Sequence, residues 1–171
     1  MDKLFFVDLK SATGVKYFIM LKAIFCDFDG VLYNFDNNNL QDGLYSGIKN
    51  VDSVLYKKIT NFLFKQDKFI FYAWMKGYVN HNDLNVLMAN KFGVDINYLN
   101  QQLFESITKF KLNWELIEYL NSKRNKLKVY IVSDNLTTFN DILVPYFKLN
   151  EYFDKIYSSS EYHIMKKNNE N

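Results

Sequence analysis

Two aspartates, Asp27 and Asp29, stand at the end of an apolar stretch in the sequence AIFCDFDG. An ionised carboxylate removed from water needs a hydrogen-bonding partner, a cation or a metal. Carboxylates act as nucleophiles and as general acids and bases, and Mg²⁺ prefers one or two of them together with phosphate oxygens and water. The spacing therefore predicts a reactive site after this strand, with a capped turn as the purely structural alternative.

Two further apolar runs also end on polar residues. The run VYIV is followed by Ser133, Asp134 and Asn135, and the run KIY is followed by the serines 158–160. Because the carboxyl ends of parallel strands meet at one edge of a sheet, we expect the three polar clusters to converge on one crevice. Ser133 suits a phosphate oxygen, and a lysine is expected as the compensating charge. Asp134 and Asn135 could instead cap the next helix.

The strands and helices that must position these residues can be predicted from the spacing of the apolar residues. The order strand, helices, strand, helix, strand predicts an α/β fold, with a Rossmann-like parallel sheet core and a helical insert after the first strand. Residues 22–29 form a continuous apolar run ending in aspartates, which predicts a strand buried on both faces. The first 19 residues contain two β-prone runs around the turn KSATG. They are either an extension before a start at Met20, which we favour, or a genuine hairpin.

Helical spacing dominates the section between the first two strands. Residues 80–93, NHNDLNVLMANKFG, begin with Asn and Asp and end with Gly, as a helix does. Trp74 and Tyr78 are predicted to lie in the core. The residues expected on buried helix faces are Val54, Leu55, Ile59, Phe62, Leu63, Ile96, Leu99, Leu103, Phe104, Trp114, Leu116, Ile117 and Leu120.

Composition excludes several classes of protein. With 49% hydrophobic residues the chain is too apolar to be disordered, and a net charge of +2 without a dense basic block argues against nucleic-acid binding. The single cysteine, Cys26, excludes an internal disulfide and is predicted to be a small buried hydrophobe. The apolar runs are too short to span a membrane, so we expect a cytoplasmic protein.

Three segments resemble motifs of the haloacid dehalogenase-like (HAD) superfamily, in the right order. DFDGVLY resembles the first motif, DxDx[VT] after a hydrophobic strand, and VYIVSDN resembles the second, a strand ending in Ser or Thr. YFDKIYSSSEYHIMKKN is similar to the third-motif region of subfamily I, with Lys166 at the position of the family's lysine and Lys167 as the fallback. His163 departs from the usual glycine, and Lys167 departs from the usual proline.

The resemblance implies a fold, a reaction and a cofactor. It implies a core of residues 20–35 and 124–171 with a C1-type helical cap at 36–123, and a Mg²⁺-dependent phosphatase acting on a small phosphorylated metabolite. Asp27 would be the nucleophile and a metal ligand, and Asp29 the acid/base, with its backbone carbonyl on the metal. Ser133 and the backbone N–H of Asp134 would bind phosphate, and Lys166 would neutralise charge. The second aspartate is absent from the family's dehalogenases, so Asp29 favours phosphoryl chemistry.

The family's fourth motif, an acidic pair on a further strand, does not occur before Asn171. We therefore expect the sheet to be incomplete at its C-terminal side and the sequence to be a piece of a longer protein, with a degenerate, non-catalytic relative as the alternative. Two other functions stay open: a phosphomutase of the same fold, and an inactive HAD-like scaffold that binds a partner. The activity of this chain, its substrate and its oligomeric state are not fixed by the sequence.

Overall fold

The computed structural model describes residues 6–10, 16–33, 43–66 and 68–166. Its central element is a parallel sheet of three strands in the order β3–β4–β5, formed by Ala23–Cys26, Lys128–Ser133 and Lys155–Ser158. Cys26 pairs with Ile131. This parallel sheet, with helices in the long connection between β3 and β4, confirms the predicted α/β class.

In the described part of the chain, the two faces of the sheet differ in burial. Val129 and Ile131 are completely buried, whereas Phe25 on the other face is 66% exposed. The prediction that β3 is buried on both faces is therefore wrong. Within the described part of the chain, helices pack on one side, and Phe25 instead stacks on Tyr130 at a ring separation of 5.2 Å. Cys26 is buried as predicted, and burial raises the pKa of its thiol.

Helices fill the connection between β3 and β4. They are α1 Ser46–Val51, α2 Ser53–Asn61 with a π-helical continuation at Phe62–Gln66, α3 Lys68–Met75, α4 His81–Phe92, α5 Ile96–Thr108 and α6 Trp114–Asn121. After β4 come a π-helical segment at Phe139–Leu143, α7 Val144–Tyr146, a short 3₁₀ turn at Leu149–Glu151, and, after β5, α8 Ser159–Tyr162. The division into core and cap at residues 36 and 123 stays a prediction.

Local signals set the ends of α4, as the sequence predicted. The side chain of Asn80 accepts a hydrogen bond from the backbone of Asp83, and the Asp83 carboxylate accepts one from the backbone of Asn80, a complete capping box. Gly93 ends the helix in the left-handed conformation. The predicted helix faces hold for Ile59, Leu99 and Ile117, which are fully buried.

Four large side chains predicted to be buried are exposed instead. Val54 is 62% exposed, Phe104 48%, Trp114 38% and Tyr78 64%. Val54 lies in the first turn of α2 and Phe104 contacts Tyr146, while Tyr78 stacks on His163 outside the core. The predictions for Val54, Phe104 and Trp114 rested on spacing alone, which locates a broad apolar face but not the rim where that face meets water. Tyr78 was placed in the core only because it is aromatic.

The N-terminal residues form a separate antiparallel pair. Strand β1, Phe6–Lys10, pairs with β2, Lys16–Met20, with Phe6 opposite Met20. The two β-prone runs are therefore strands, and the predicted turn between them lies outside the described residues. Whether residues 1–19 are an extension of the native protein stays a prediction. No helix in the described part of the chain has the length and apolar character needed to cross a bilayer.

Asp154 joins the amino ends of β4 and β5. Its carboxylate accepts hydrogen bonds from the backbone N–H of Val129 and from the ammonium of Lys128, both at 2.9 Å. These bonds, with the Arg124 guanidinium 3.4 Å away, hold the pKa of Asp154 below its usual value. The preceding Phe153 is buried. The Phe–Asp pair at the start of the third motif region thus anchors the strand that leads toward the site.

Candidate active site at the strand ends

Asp27 follows β3 directly and keeps a half-exposed side chain. Its Oδ1 accepts a hydrogen bond from the backbone N–H of Phe28 at 2.8 Å. Its Oδ2 accepts one from the ammonium of Lys166 at 2.5 Å, across 139 positions of the sequence. With 42% of the Asp27 side chain and 36% of the Lys166 side chain exposed, the pair lies at the rim of the sheet, where a solute can reach it.

Asp29 lies deeper, on the turn that follows. Its Oδ2 accepts a hydrogen bond from Asn135 Nδ2 at 3.3 Å, whereas its Oδ1 is buried and has no partner among the described residues. Burial, followed by the nearby charge of Asp27, raises the pKa of Asp29 to about 6. Asn135 and Lys166 oppose this rise but do not cancel it. A carboxyl group with this pKa can both give and take a proton near neutrality.

The end of β4 supplies the second cluster. Ser133 is buried, and Asp134 Oδ1 accepts a hydrogen bond from the backbone N–H of Lys166 at 2.9 Å. Asp134 therefore contacts the segment that carries the lysine. A cavity of about 260 Å³ opens beside these residues, lined by Val132, Ser133, Asp134, Tyr157, Ser158, Ser159, Tyr162, Ile164, Met165 and Lys166.

Asn135 and Ser159 connect the three clusters, and the sequence did not single them out for this role. Asn135 Nδ2 lies 3.3 Å from Asp29 Oδ2 and 3.4 Å from Ser133 Oγ, and the Asn135 backbone N–H donates to Ser159 Oγ at 2.9 Å. Both side chains are buried. The available signal was their polarity beside apolar strands, since buried polar groups are normally hydrogen-bonded.

A turn at residues 75–78, after α3, holds the segment that leads to Lys166. The hydroxyl of Ser159 donates to the carbonyl of Met75 at 2.8 Å. His163 Nδ1 donates to the carbonyl of Lys76 at 2.6 Å, and the His163 ring stacks on Tyr78. His163 has φ 59°, the left-handed conformation that glycine adopts most readily, which accounts for the glycine usual at this position in the resembled motif.

The structure thus brings together all five residues predicted from the sequence: Asp27, Asp29, Ser133, Asp134 and Lys166. The alternative lysine, Lys167, lies outside the described residues. A wider cleft, of about 990 Å³, contains none of the five and lies instead beside His81 and Asp141. We place the site at the strand ends because that is where charged groups converge. Within the described residues there is no group of three or more His, Cys, Asp or Glu side chains that could hold a metal.

Comparison with known proteins identifies the fold. No family model matches the chain, and no curated protein matches it. Among solved structures, a protein described as a predicted HAD-like family hydrolase from Porphyromonas gingivalis superposes with a TM-score of 0.65 at 20% identity, over 88% of this chain and 72% of that one. The chain has the HAD-like hydrolase fold.

Two other HAD-like structures support this assignment. A HAD family enzyme from Bacteroides thetaiotaomicron, in a magnesium complex, matches with a TM-score of 0.58 at 22% identity, over 86% of this chain and 72% of that one. The L-2-haloacid dehalogenase of Xanthobacter autotrophicus, with chloropropionic acid covalently bound, matches with a TM-score of 0.52 at 16% identity, over 86% and 60%. These likenesses establish the HAD-like fold, and the chemistry must be argued from the site itself.

Proposed function

We propose that this protein is a Mg²⁺-dependent phosphatase of the HAD-like type that hydrolyses a small phosphorylated metabolite through an aspartyl-phosphate intermediate. The observation that carries the proposal is the ion pair between Lys166 and Asp27, with the half-buried Asp29 two residues away. A carboxylate beside a fixed ammonium at an open rim suits attack on an anionic phosphate, because the ammonium offsets the repulsion between the two anions.

The reaction needs two steps that these residues can supply. In the first, a carboxylate oxygen of Asp27 attacks phosphorus, and the bond from phosphorus to the ester oxygen breaks while Asp29 gives that oxygen a proton. In the second, water attacks the phosphorus of the aspartyl phosphate and gives a proton to Asp29. Inorganic phosphate leaves, and the carboxylate of Asp27 is restored. The two carboxylates act as nucleophile and as acid/base, respectively.

Groups at the neighbouring strand ends would bind the transferred phosphate. The hydroxyl of Ser133, the last residue of β4, and the backbone N–H of Asp134 lie on the same edge of the sheet as Asp27. Lys166 supplies positive charge, and the bond from its backbone N–H to Asp134 Oδ1 helps to fix its position. Hydrogen-bond donors and charges that are already in place stabilise a transition state without reorganising during the reaction.

The residues present fit Mg²⁺. Asp27 offers an accessible carboxylate, and the backbone carbonyl of Asp29 is the further ligand that the resemblance implies. Mg²⁺ binds through one or two carboxylates when phosphate and water complete its coordination. When bound, the ion would offset negative charge on the phosphate. The Bacteroides thetaiotaomicron enzyme was crystallised with magnesium and inorganic phosphate.

The proposal is tested by assaying the chain on two classes of substrate. Phosphate release is measured from alkyl, sugar and aryl phosphates with Mg²⁺ and with a chelator, and chloride release is measured from 2-chloropropionate. We expect Mg²⁺-dependent phosphate release, no chloride release, and loss of activity in Asp27→Asn. Glu118→Gln, the same change of charge on an exposed part of α6, is the matched control. Chloride release, or full phosphatase activity in Asp27→Asn, would overturn the proposal.

A further inference from the structure

The amide of Asn135 lies between two groups of the site, Asp29 and Ser133. We infer that Asn135 is a positioning residue that holds one oxygen of Asp29 and leaves the other free for the reacting group. The inference deepens the proposed function and rests on it. It assigns to Asn135 a part in the reaction that neither the motif resemblance nor helix capping assigns to it.

The orientation of the Asn135 amide is determined by its neighbours. The backbone N–H of Leu136 donates to Asn135 Oδ1 at 3.2 Å, so the oxygen must lie on that side. The amino group then points toward Asp29 Oδ2, at 3.3 Å, and Ser133 Oγ, at 3.4 Å. A carboxylate only accepts hydrogen bonds and a backbone N–H only donates, so a flipped amide would lose both contacts.

The backbone of Asn135 is equally constrained. Its N–H donates to Ser159 Oγ at 2.9 Å, and both residues are buried. The hydroxyl of Ser159 in turn donates to the carbonyl of Met75 at 2.8 Å. A buried group held at both its backbone and its side chain can fix the direction of the carboxylate that it contacts.

The consequence for Asp29 is that its two oxygens differ. Oδ2 accepts the hydrogen bond from Asn135, while Oδ1 has no partner among the described residues. A void of about 10 Å³ adjoins Asp29, with Phe28, Phe110 and Phe139 among its walls. That volume is close to what one water molecule needs. Oδ1 is therefore the oxygen of Asp29 that no described residue engages, and we assign the exchangeable proton to it.

The change Asn135→Asp separates positioning from space-filling. Aspartate has nearly the volume of asparagine and can still accept the hydrogen bond from Leu136, but its ionised form cannot donate to Asp29 and faces it with a second acceptor. If Asn135 only fills space and accepts the hydrogen bond from the backbone N–H of Leu136, Asn135→Asp should be nearly as active as the wild type. If it positions Asp29, activity should fall by about 30-fold or more, a substantial part of what a general acid contributes.

The dependence on leaving group gives a readout that a structural role would not change. The ratio kcat/KM reports the first step, in which an alkyl oxygen needs a proton from Asp29 and a p-nitrophenyl oxygen needs little help. We expect Asn135→Asp and Asn135→Ala to lower kcat/KM at least several times more for an alkyl phosphate than for p-nitrophenyl phosphate. Ser159→Ala loosens the backbone support but leaves the Asn135 amide in place, so the difference between the two substrates should be smaller than in the Asn135 variants. Equal losses in the Asn135 variants would overturn the inference.

A thermal double-mutant cycle tests the contact without using activity. Melting temperatures of the wild type, Asn135→Ala, Asp29→Ala and the double variant are compared in the absence of Mg²⁺. Because residues in contact are non-additive, Asn135→Ala should lower the melting temperature less when Asp29 is already alanine. Additive shifts would overturn the inference. If the wild-type chain shows no turnover, the proposed function fails, and the cycle alone decides whether Asn135 holds Asp29.

Discussion

Asp27 and Asp29 are separated by one residue, yet they lie in contrasting parts of the molecule. Asp27 is half-exposed at the rim of the sheet, where a backbone N–H and an ammonium compensate its charge. Asp29 lies inside the turn, with one hydrogen bond to a neutral amide and one oxygen without a partner among the described residues. The environment of Asp29 raises its pKa and favours the protonated form, whereas Asp27 faces solvent and a cation.

This difference assigns the two roles. A nucleophile must stay ionised and accessible, while an acid/base group must be able to hold a proton near neutral pH. The different environments arise because β3 ends at Cys26 and the chain turns immediately afterwards, so Asp27 stays at the strand end while Asp29 is carried beside Asn135. Substitutions at these two residues and at their neighbours test this division of roles.

Removing the nucleophile should have the largest effect. Asp27→Asn keeps the size of the side chain but lacks the carboxylate that attacks phosphorus. Turnover of phosphate esters should therefore fall by about four orders of magnitude or more. Steady-state phosphate release measures the loss, and circular dichroism checks that the fold is intact. Turnover within about tenfold of the wild type would mean that Asp27 is not the nucleophile.

Removing the cation beside Asp27 should have the next largest effect. Lys166→Met should lower kcat/KM by about 100-fold to 1,000-fold, because the transferring phosphate loses a fixed positive charge. Lys128→Met is the matched control, since Lys128 also pairs with an aspartate, Asp154, at the opposite, amino ends of the strands. Equal losses in the two variants would show that Lys166 has no special place in the site.

The charge of Asp29 should cost stability at high pH. Its folded-state pKa is raised from 3.8 to about 6, so the fold favours the protonated form, and this stabilisation is lost as the pH rises through about 6. Asp29→Asn should therefore raise the free energy of unfolding by about 2 kcal/mol at pH 8, with an advantage that shrinks toward pH 4. Urea denaturation at both pH values, without Mg²⁺, measures it. An effect independent of pH would contradict the buried environment of Asp29.

The smallest effect concerns the turn that supports the Lys166 segment. Gly77 has φ 70°, and a Cβ there would meet the carbonyl oxygen of Ser160, whereas Gly93 has φ 67° and open space around it. We expect Gly93→Ala to cost about 1 kcal/mol from backbone conformation alone, and Gly77→Ala about 2 kcal/mol, because the neighbouring backbone must also move. Thermal melts compare them. Equal costs would show that the turn does not pack closely against Ser160.

Much of the fold could be predicted because its signals are local. The Asn80–Asp83 capping box and Gly93 set α4 within its own sequence, and polar residues directly after β3 and β4 mark the strand ends. The exposure of Phe25 could not be predicted, because it depends on which elements cover each face of the sheet. The link from Asn135 to Asp29 joins residues 106 positions apart, and no periodic pattern encodes it. Lys166 was located by motif resemblance, since a lysine among lysines and asparagines carries no local signal.

The central claim, that Asp27 carries the phosphoryl group, is tested most directly by trapping the intermediate. The protein is mixed with Mg²⁺ and a phosphate ester that it hydrolyses, quenched with borohydride during turnover, digested, and examined by mass spectrometry. Borohydride reduces an acyl phosphate to an alcohol, so a phosphorylated aspartate becomes homoserine. The account predicts homoserine at position 27, dependent on substrate and Mg²⁺, and unmodified aspartate at position 29. An active protein with homoserine at position 29, or at neither position, would contradict it.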